Sequence, residues 1–380
     1  MVEKPSKGLE GVVVADSRKS FVDGAEGKLI YGGYRIEELA EHALFEEVVF
    51  LLWNDRLPNA AELEETRAAI ANSAGVADGL LNIIKAFPKD ADPMAVLEAA
   101  VAALAFYDDE SEDLSVEATR RKAVRLTGQI TTICAAWDRI RKGQEPVAPR
   151  GDLTLAQNFM YMLTGEEPDQ VASDAINTYL VLLAEHSMNA STFTARVVTA
   201  TGADLHSAIV AAIAALKGPS HGGANAAAMR EFLDIGEEDA VEDWFQREIK
   251  EKGGRIMGIG HRVYKAHDPR AAILKQHSQA LAESSGNTKW FNIAQKLADL
   301  ARADDYFIER KLFPNVDYYS AILLYTIDLD VDMFTPLFAM SRIAGWSAHV
   351  LEQLANNRLI RPDVNYIGAE GLSWTPIEER

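Results

Sequence analysis

Cysteine is nearly absent from these 380 residues: Cys134 is the single example. One thiol excludes an internal disulfide and any cysteine-built zinc site. The mostly apolar setting 130–137 makes Cys134 a buried structural thiol rather than a reactive one. Basic residues are also scarce, 38 Lys+Arg against 57 Asp+Glu, which leaves a formal charge of −19. A surface of that sign repels a phosphate backbone, so nucleic-acid binding is not expected. No basic amphipathic stretch suits a membrane surface. A solvated acidic surface accounts for the charge. Adaptation to a salty cytoplasm is the alternative, weakened by the retained Lys250, Lys252 and Lys275. Long apolar runs are missing too, and 208–216 is far too short to span a bilayer. The stretch 1–11 has no apolar signal core. Together these absences predict a cytoplasmic protein.

The hydrophobic content, 48%, is that of an ordinary globular chain. Its length suggests two or three domains, or one large domain with an insertion. GVVVA (11–15) and KLIY (28–31) are β-prone, and Asp23-Gly24 and Gly27 are turn signals between them, so a small N-terminal β element is predicted. Helical periodicity follows. It predicts helices over 35–53, 59–71, 94–106, 117–142, 154–163, 170–186 and 204–216, and another beginning near Asn225. It continues over 272–284, 292–302, 318–327 and 335–356. Asn59 and Asp92-Pro93 supply starts, as N-cap and as cap plus first-turn proline. No βαβ alternation occurs, which disfavours Rossmann and barrel folds.

Three histidines stand apart from the other five. His42, His206, His267, His277 and His349 read as packing or surface residues. His221 lies in KGPSHGGAN (217–225), just before a predicted helix, where the positive dipole end disfavours imidazolium. A neutral imidazole there can donate a hydrogen bond to a carbonyl oxygen. His261 lies in the glycine-flanked GIGHRVY (258–264), ahead of Lys265 and Arg270. Arg270 follows an N-cap aspartate and a first-turn proline, a poor place for a cation, so it points to solvent or binds an anion. His186 lies in EHSMNAS (185–191). Asp317, in FPNVDYYS (313–320), reads by itself as a helix N-cap. Spacing alone also permits a metal site of two histidines and one carboxylate, although nearby arginines would repel a cation.

KGPSHGGAN, GIGHRVYKAHDPR, FPNVDYYS and MSRIAGW, in that order, resemble citrate synthase, and GLEGVVVADS, LIYGGYRIEELA and LLWNDRLP resemble its bacterial and archaeal branch. The resemblance runs from about Gly8 to Pro376. It implies a mainly α, two-domain all-helical fold with a small N-terminal β element. Residues 1–220 and 324–380 would form the large, dimerising, oxaloacetate-side domain, and 221–323 the small, CoA-side domain. The implied enzyme is an acyltransferase that condenses acetyl-CoA with oxaloacetate and water to citrate and CoA, the entry step of the tricarboxylic acid cycle. 2-Methylcitrate synthase, using propionyl-CoA, is the alternative. His221, His261 and Asp317 match the family's catalytic trio. His186, Arg270, Arg342 and Arg361 match its oxaloacetate ligands, with Asn189, Ser191 and Phe338 lining the same pocket. Arg255, Ile259, Gly260, Arg262 and Lys265 match the CoA-binding region. The resemblance implies no metal and no permanently bound cofactor, with CoA as co-substrate and product. It also implies a homodimer in which Arg361 serves the partner subunit's site.

Overall fold

The computed structural model describes residues 6–261 and 263–380. Among them are seventeen α-helices and one three-stranded antiparallel sheet, so the mainly helical expectation holds. The sheet orders β1 (Ser20–Asp23), β2 (Lys28–Tyr31) and β3 (Tyr34–Arg35) side by side. Ser20 pairs with Tyr31 and Asp23 with Lys28. Asp23 closes the intervening turn, its Oδ1 accepting from the N–H groups of Ala25 and Glu26 at 3.0 and 3.1 Å.

The predicted strand GVVVA does not form. Residues 12–17 have no regular structure, and Val13 is 87% exposed. β-propensity there meets no neighbouring strand, whereas 20–23 lies one turn away from its partner.

The predicted helix 35–53 is two helices, Ile36–His42 and Phe45–Asn54. Its apolar period is right, but the chain is extended at Ala43 and Leu44, where the Glu47 carboxylate accepts from the Leu44 N–H at 2.8 Å. The other predicted helices form with end shifts of a few residues. Asn59 and Glu62 make a reciprocal capping box, and Asp92 caps Pro93–Leu104. Sequence periodicity misses Asp78–Ala86 and Ala190–Ala200. The latter (ASTFTARVVTA) is rich in β-branched residues of low helix propensity. Packing against Leu205–Lys217 and Phe334–Ala355 forms it nonetheless.

Phe334–Ala355 is the central element. It packs against Val116–Arg141, Gln170–Leu183, Ala190–Ala200 and Leu205–Lys217, and it is buried along nearly its whole length. Each such Leu, Ile, Met or Phe side chain taken from water contributes roughly 1.5–3 kcal/mol. A second group, Ala224–Ile235, Pro269–Ser285, Lys289–Ala303 and Val316–Thr326, packs among itself. Pro269–Ser285 also contacts Gln170–Leu183, which joins the two groups. Cys134 is buried, as expected, and burial pushes its thiol up to about 12. Among the described residues no helix is long and apolar enough to cross a membrane.

Candidate active site

His186 sits in the turn between Gln170–Leu183 and Ala190–Ala200. Periodicity carries the first helix through His186, but the helix stops at Leu183. Two local features end it. Ser187 adopts a left-handed backbone, φ 53°, and Asn189 caps the next helix by accepting from the Thr192 N–H at 3.1 Å. The resemblance places Asn189 in the lining of the substrate pocket. Its amide nitrogen holds the turn, donating to the Ser187 carbonyl at 3.2 Å and to the Thr192 hydroxyl at 2.9 Å.

Ser191, in the first turn of that helix, meets His221. Its backbone N–H donates to His221 Nε2 at 3.3 Å, and its hydroxyl lies 2.8 Å from the same nitrogen. With Nε2 accepting, a neutral imidazole carries its proton on Nδ1. His221 itself precedes Ala224–Ile235, as predicted.

The loop bearing His261 is tied to the loop bearing Asp317. The Gly260 N–H donates to the Phe313 carbonyl and the Asn315 N–H to the Gly258 carbonyl, both at 2.8 Å. Asn315 Nδ2 adds a bond to the Gly260 carbonyl at 2.7 Å. Gly258 is required here: its backbone is left-handed, φ 76°. A Cβ on it would lie 2.9 Å from the Tyr318 backbone. His261 Nδ1 accepts from the Val263 N–H at 3.0 Å and from the Tyr264 N–H at 3.2 Å. With Nδ1 accepting, the proton of the neutral ring is on Nε2. The His261 ring centroid lies 5.6 Å from that of His186 and 4.8 Å from that of Tyr264. The Tyr264 hydroxyl lies 3.3 Å from His186 Nε2.

Asp317 is not the N-cap that its position suggests. Asn315 holds that role, its Oδ1 accepting from the Asp317 N–H at 2.8 Å. The Asp317 carboxylate is left partly buried, with no hydrogen-bond partner among the described residues. Burial pushes it up to about 6, the cations Arg270 and Arg342 offsetting part of the shift.

Of the two outcomes its sequence position suggests, Arg270 does not point to solvent, and its Nη1 has no hydrogen-bond partner among the described residues. It is buried and forms a bidentate pair with Asp268. Arg342 is buried as well, its Nε donating to the Leu183 carbonyl at 2.6 Å and its guanidinium 4.6 Å from the Phe338 ring. No described residue pairs with its terminal nitrogens, which leaves their N–H groups available to an anion.

Burial, then Arg342, pushes His221 down to about 4; burial, then Arg270, does the same to His261. His186 is lowered further by the same causes, burial first. The dipole argument from sequence points the same way for His221, but burial and Arg342 are what lower it. All three imidazoles are neutral near pH 7 beside buried guanidinium groups, a site built for a small anion bearing a carbonyl.

The remaining sequence candidates lie further out. Arg255 and Lys265 are exposed and make no ion pair among the described residues; Ile259 and Gly260 belong to the tied loop. Arg262 lies outside the described residues. Arg361 is exposed on the irregular segment 357–376, and no hydrogen bond among the described residues joins it to Arg270 or Arg342. A cavity of about 200 Å³ lies beside the site, lined by His267, Asp268, Phe313 and Tyr319 among others, and the three predicted catalytic residues do not line it. No group of three His, Cys, Asp or Glu among the described residues is placed to hold a metal ion.

Sequence reasoning misses Glu185, whose only signal is a carboxylate beside His186 at the end of an apolar helix. It is fully buried, 2.9 Å from His349 Nε2, and His349 Nδ1 lies 3.1 Å from Arg196. His349, which reads as a packing residue, is thus part of a buried charged network.

Fold and site define a class: a mainly helical protein that gathers imidazoles of lowered pKa, one carboxyl of raised pKa and buried arginines in one cluster. The family model described as citrate synthase, C-terminal domain, matches residues 8–363. "Citrate synthase 2" of Bacillus subtilis is 46% identical over 99% of both chains. A citrate synthase structure from Pyrobaculum aerophilum superposes with a TM-score of 0.92 at 43% identity, covering 98% of this chain and 95% of that one. The citrate synthase of Thermoplasma acidophilum, solved as a ternary complex with carboxymethyl coenzyme A and oxaloacetate, gives 0.93 at 35% identity over 100% of both chains. A 2-methylcitrate synthase of Mycobacterium tuberculosis is 39% identical over 97% of this chain and 92% of its own. The chain belongs to the citrate synthase family.

Proposed function

We propose that this chain condenses acetyl-CoA with oxaloacetate and water to citrate and free CoA, with Asp317, His221 and His261 as its catalytic residues. The observation that carries the assignment is the unpartnered Asp317 carboxylate, raised to about 6, in a cluster with two imidazoles that are neutral and of defined tautomer. A thioester methyl is a very weak acid. A carboxylate can deprotonate it only if the developing enolate oxygen is stabilised. Asp317 takes the methyl proton while His221 Nδ1–H donates to the thioester oxygen. The enolate carbon then attacks the ketone of oxaloacetate, and His261 Nε2–H donates to the ketone oxygen and protonates the alkoxide. Water cleaves the citryl thioester and releases CoA. A dry site during the first step prevents early hydrolysis of acetyl-CoA.

His186, Arg342 and Arg270 receive oxaloacetate, with Phe338 supporting the Arg342 guanidinium. Arg270 uses the donors that Asp268 leaves open. Arg255, Ile259, Gly260 and Lys265 face CoA, to which the resemblance adds Arg262, and CoA passes through as co-substrate and product with no permanently bound cofactor. Residues 221–323 form the small domain that closes over the cleft; 1–220 and 324–380 form the large one. The chain works in the cytoplasm as a homodimer. The exposed apolar residues Val364, Tyr366, Ile367 and Trp374 support a C-terminal arm that lies on a partner subunit and carries Arg361 into its site.

Thiol release from acetyl-CoA, dependent on oxaloacetate, tests the reaction. Loss of that signal in a folded Asp317→Asn variant is expected, and full retention would remove Asp317 from the mechanism. Similarity to a 2-methylcitrate synthase makes propionyl-CoA the second acyl donor to try. One methylene changes selectivity by about 1–3 kcal/mol, so kcat/KM for the two thioesters decides between them.

A further inference from the structure

The β1–β2 hairpin touches both walls of the site. On one side, Ser20 Oγ accepts from the Ser187 N–H at 2.8 Å and donates to Glu185 Oε1 at 2.9 Å. It therefore grips the residues on either side of His186. The left-handed backbone of Ser187, unusual for a residue with a side chain, is held at its N–H by Ser20 and at its carbonyl by the Asn189 backbone and side chain. Tyr31, opposite Ser20 in the sheet, places its hydroxyl 2.6 Å from the Glu185 carbonyl and 3.0 Å from that of Leu182. On the other side, the Gly24 carbonyl at the hairpin tip accepts from the Lys265 N–H at 2.7 Å and from the Ala266 N–H at 3.3 Å. The approach is so close that a Cβ on Gly24 would lie 2.1 Å from the Val263 carbonyl oxygen. The segment held in this way is the one whose N–H groups orient His261 and whose Tyr264 reaches His186.

From this juxtaposition we infer that the hairpin is a positioning element for the oxaloacetate pocket. Ser20 sets the His186 turn, the Gly24 carbonyl sets the His261 strap, and together they fix the spacing of the two imidazoles. The inference rests on the assignment of His186 and His261 to oxaloacetate. Ser20 and Gly24 touch no substrate and act through the residues they hold. The hairpin and the two histidine loops are far apart in sequence, so the arrangement exists only in the folded chain. Misplacing a binding group by a fraction of an ångström weakens recognition of a small dianion far more than it weakens the fold.

The test compares wild type with Ser20→Ala, Ser20→Thr and Gly24→Ala by steady-state kinetics. Ser20→Ala should raise KM for oxaloacetate about tenfold while KM for acetyl-CoA stays within about twofold, the pattern of lost substrate positioning. Ser20→Thr, which keeps the hydroxyl, should recover most of that loss. Gly24→Ala should raise KM for oxaloacetate and lower kcat together, because it displaces the strap that carries His261. Amide hydrogen exchange on the wild-type protein supplies a reading that needs no variant. The Ser187 and Lys265 amides should be protected, and more so with oxaloacetate bound. A wild-type KM for oxaloacetate in both Ser20→Ala and Gly24→Ala would overturn the proposal, as would free exchange at both amides. A wild-type protein that forms no citrate at all would instead overturn the functional assignment.

Discussion

Arg270 and Asp268 form a buried bidentate pair, with Nε to Oδ1 at 3.0 Å and Nη2 to Oδ2 at 2.9 Å. Asp268 Oδ2 also accepts from the Val316 N–H at 3.1 Å, one residue before Asp317. One carboxylate thus caps the helix that carries Arg270, neutralises that arginine, and holds the start of the helix that carries the proposed base. Burial pushes the Asp268 carboxyl up, and Arg270 more than offsets it, holding the group below its ordinary range.

Asp268→Ala should therefore damage stability and chemistry together. It leaves Arg270 buried without its counter-charge, a change that typically costs about 3–5 kcal/mol. Urea unfolding should show that loss. Asp268→Asn, which keeps the shape and part of the hydrogen bonding, should lose less. A stability change near zero in Asp268→Ala would mean that Arg270 draws its compensation from elsewhere.

Asp317→Asn should lower kcat by roughly 10²–10⁴, the range for a removed general base, because the amide cannot accept the methyl proton. Stability should move the other way. The Asp317 pKa rises from 3.8 to about 6 on folding, so the native state prefers the protonated form. The stability this group contributes is complete below about 4 and is lost as pH rises through about 6. At pH 7 the asparagine variant should melt at or above the wild-type temperature. A clearly lower melting point would show that the carboxylate has a structural partner.

The pH dependence of kcat/KM should follow the same group. Activity should climb as Asp317 ionises through about pH 6 and then level off. His221 and His261 are neutral down to about 4, so they add no limb above that pH. Their depressed values give stability that is present above about 6.5 and declines as pH falls toward about 4. A profile that is flat between pH 5 and 7 would contradict the assignment of Asp317 as base.

Arg361 is tested by mixing subunits. If it acts across the dimer, Arg361→Ala and Asp317→Asn protomers together form one intact site and one doubly damaged site. Activity then recovers toward half of the wild-type value per dimer. If it serves its own subunit, every mixed site carries one lesion and activity stays at the level of the parents. Native mass spectrometry of the mixed dimers verifies that exchange took place.

What the sequence alone determined was governed by nearby residues. Asn59-x-x-Glu62 and Asp92-Pro93 start helices as read, because a cap and its partner lie within one turn. The three chemistry-bearing segments stand out because histidine, glycine, arginine and aspartate gather there against an otherwise ordinary helical chain. Tertiary structure decided the rest. Whether GVVVA becomes a strand depends on a partner strand that the string does not contain. Asn315 rather than Asp317 caps its helix, which leaves the carboxylate out of the cap, and the two choices look alike in sequence. Arg270 is buried against Asp268 rather than turned to solvent because burial makes an unpaired guanidinium costly. The contacts of Ser20 with Glu185, and of Glu185 with His349, join residues 165 and 164 positions apart. No local signal encodes such contacts, since they form only when the folded core brings polar groups together away from water and requires each to find a partner.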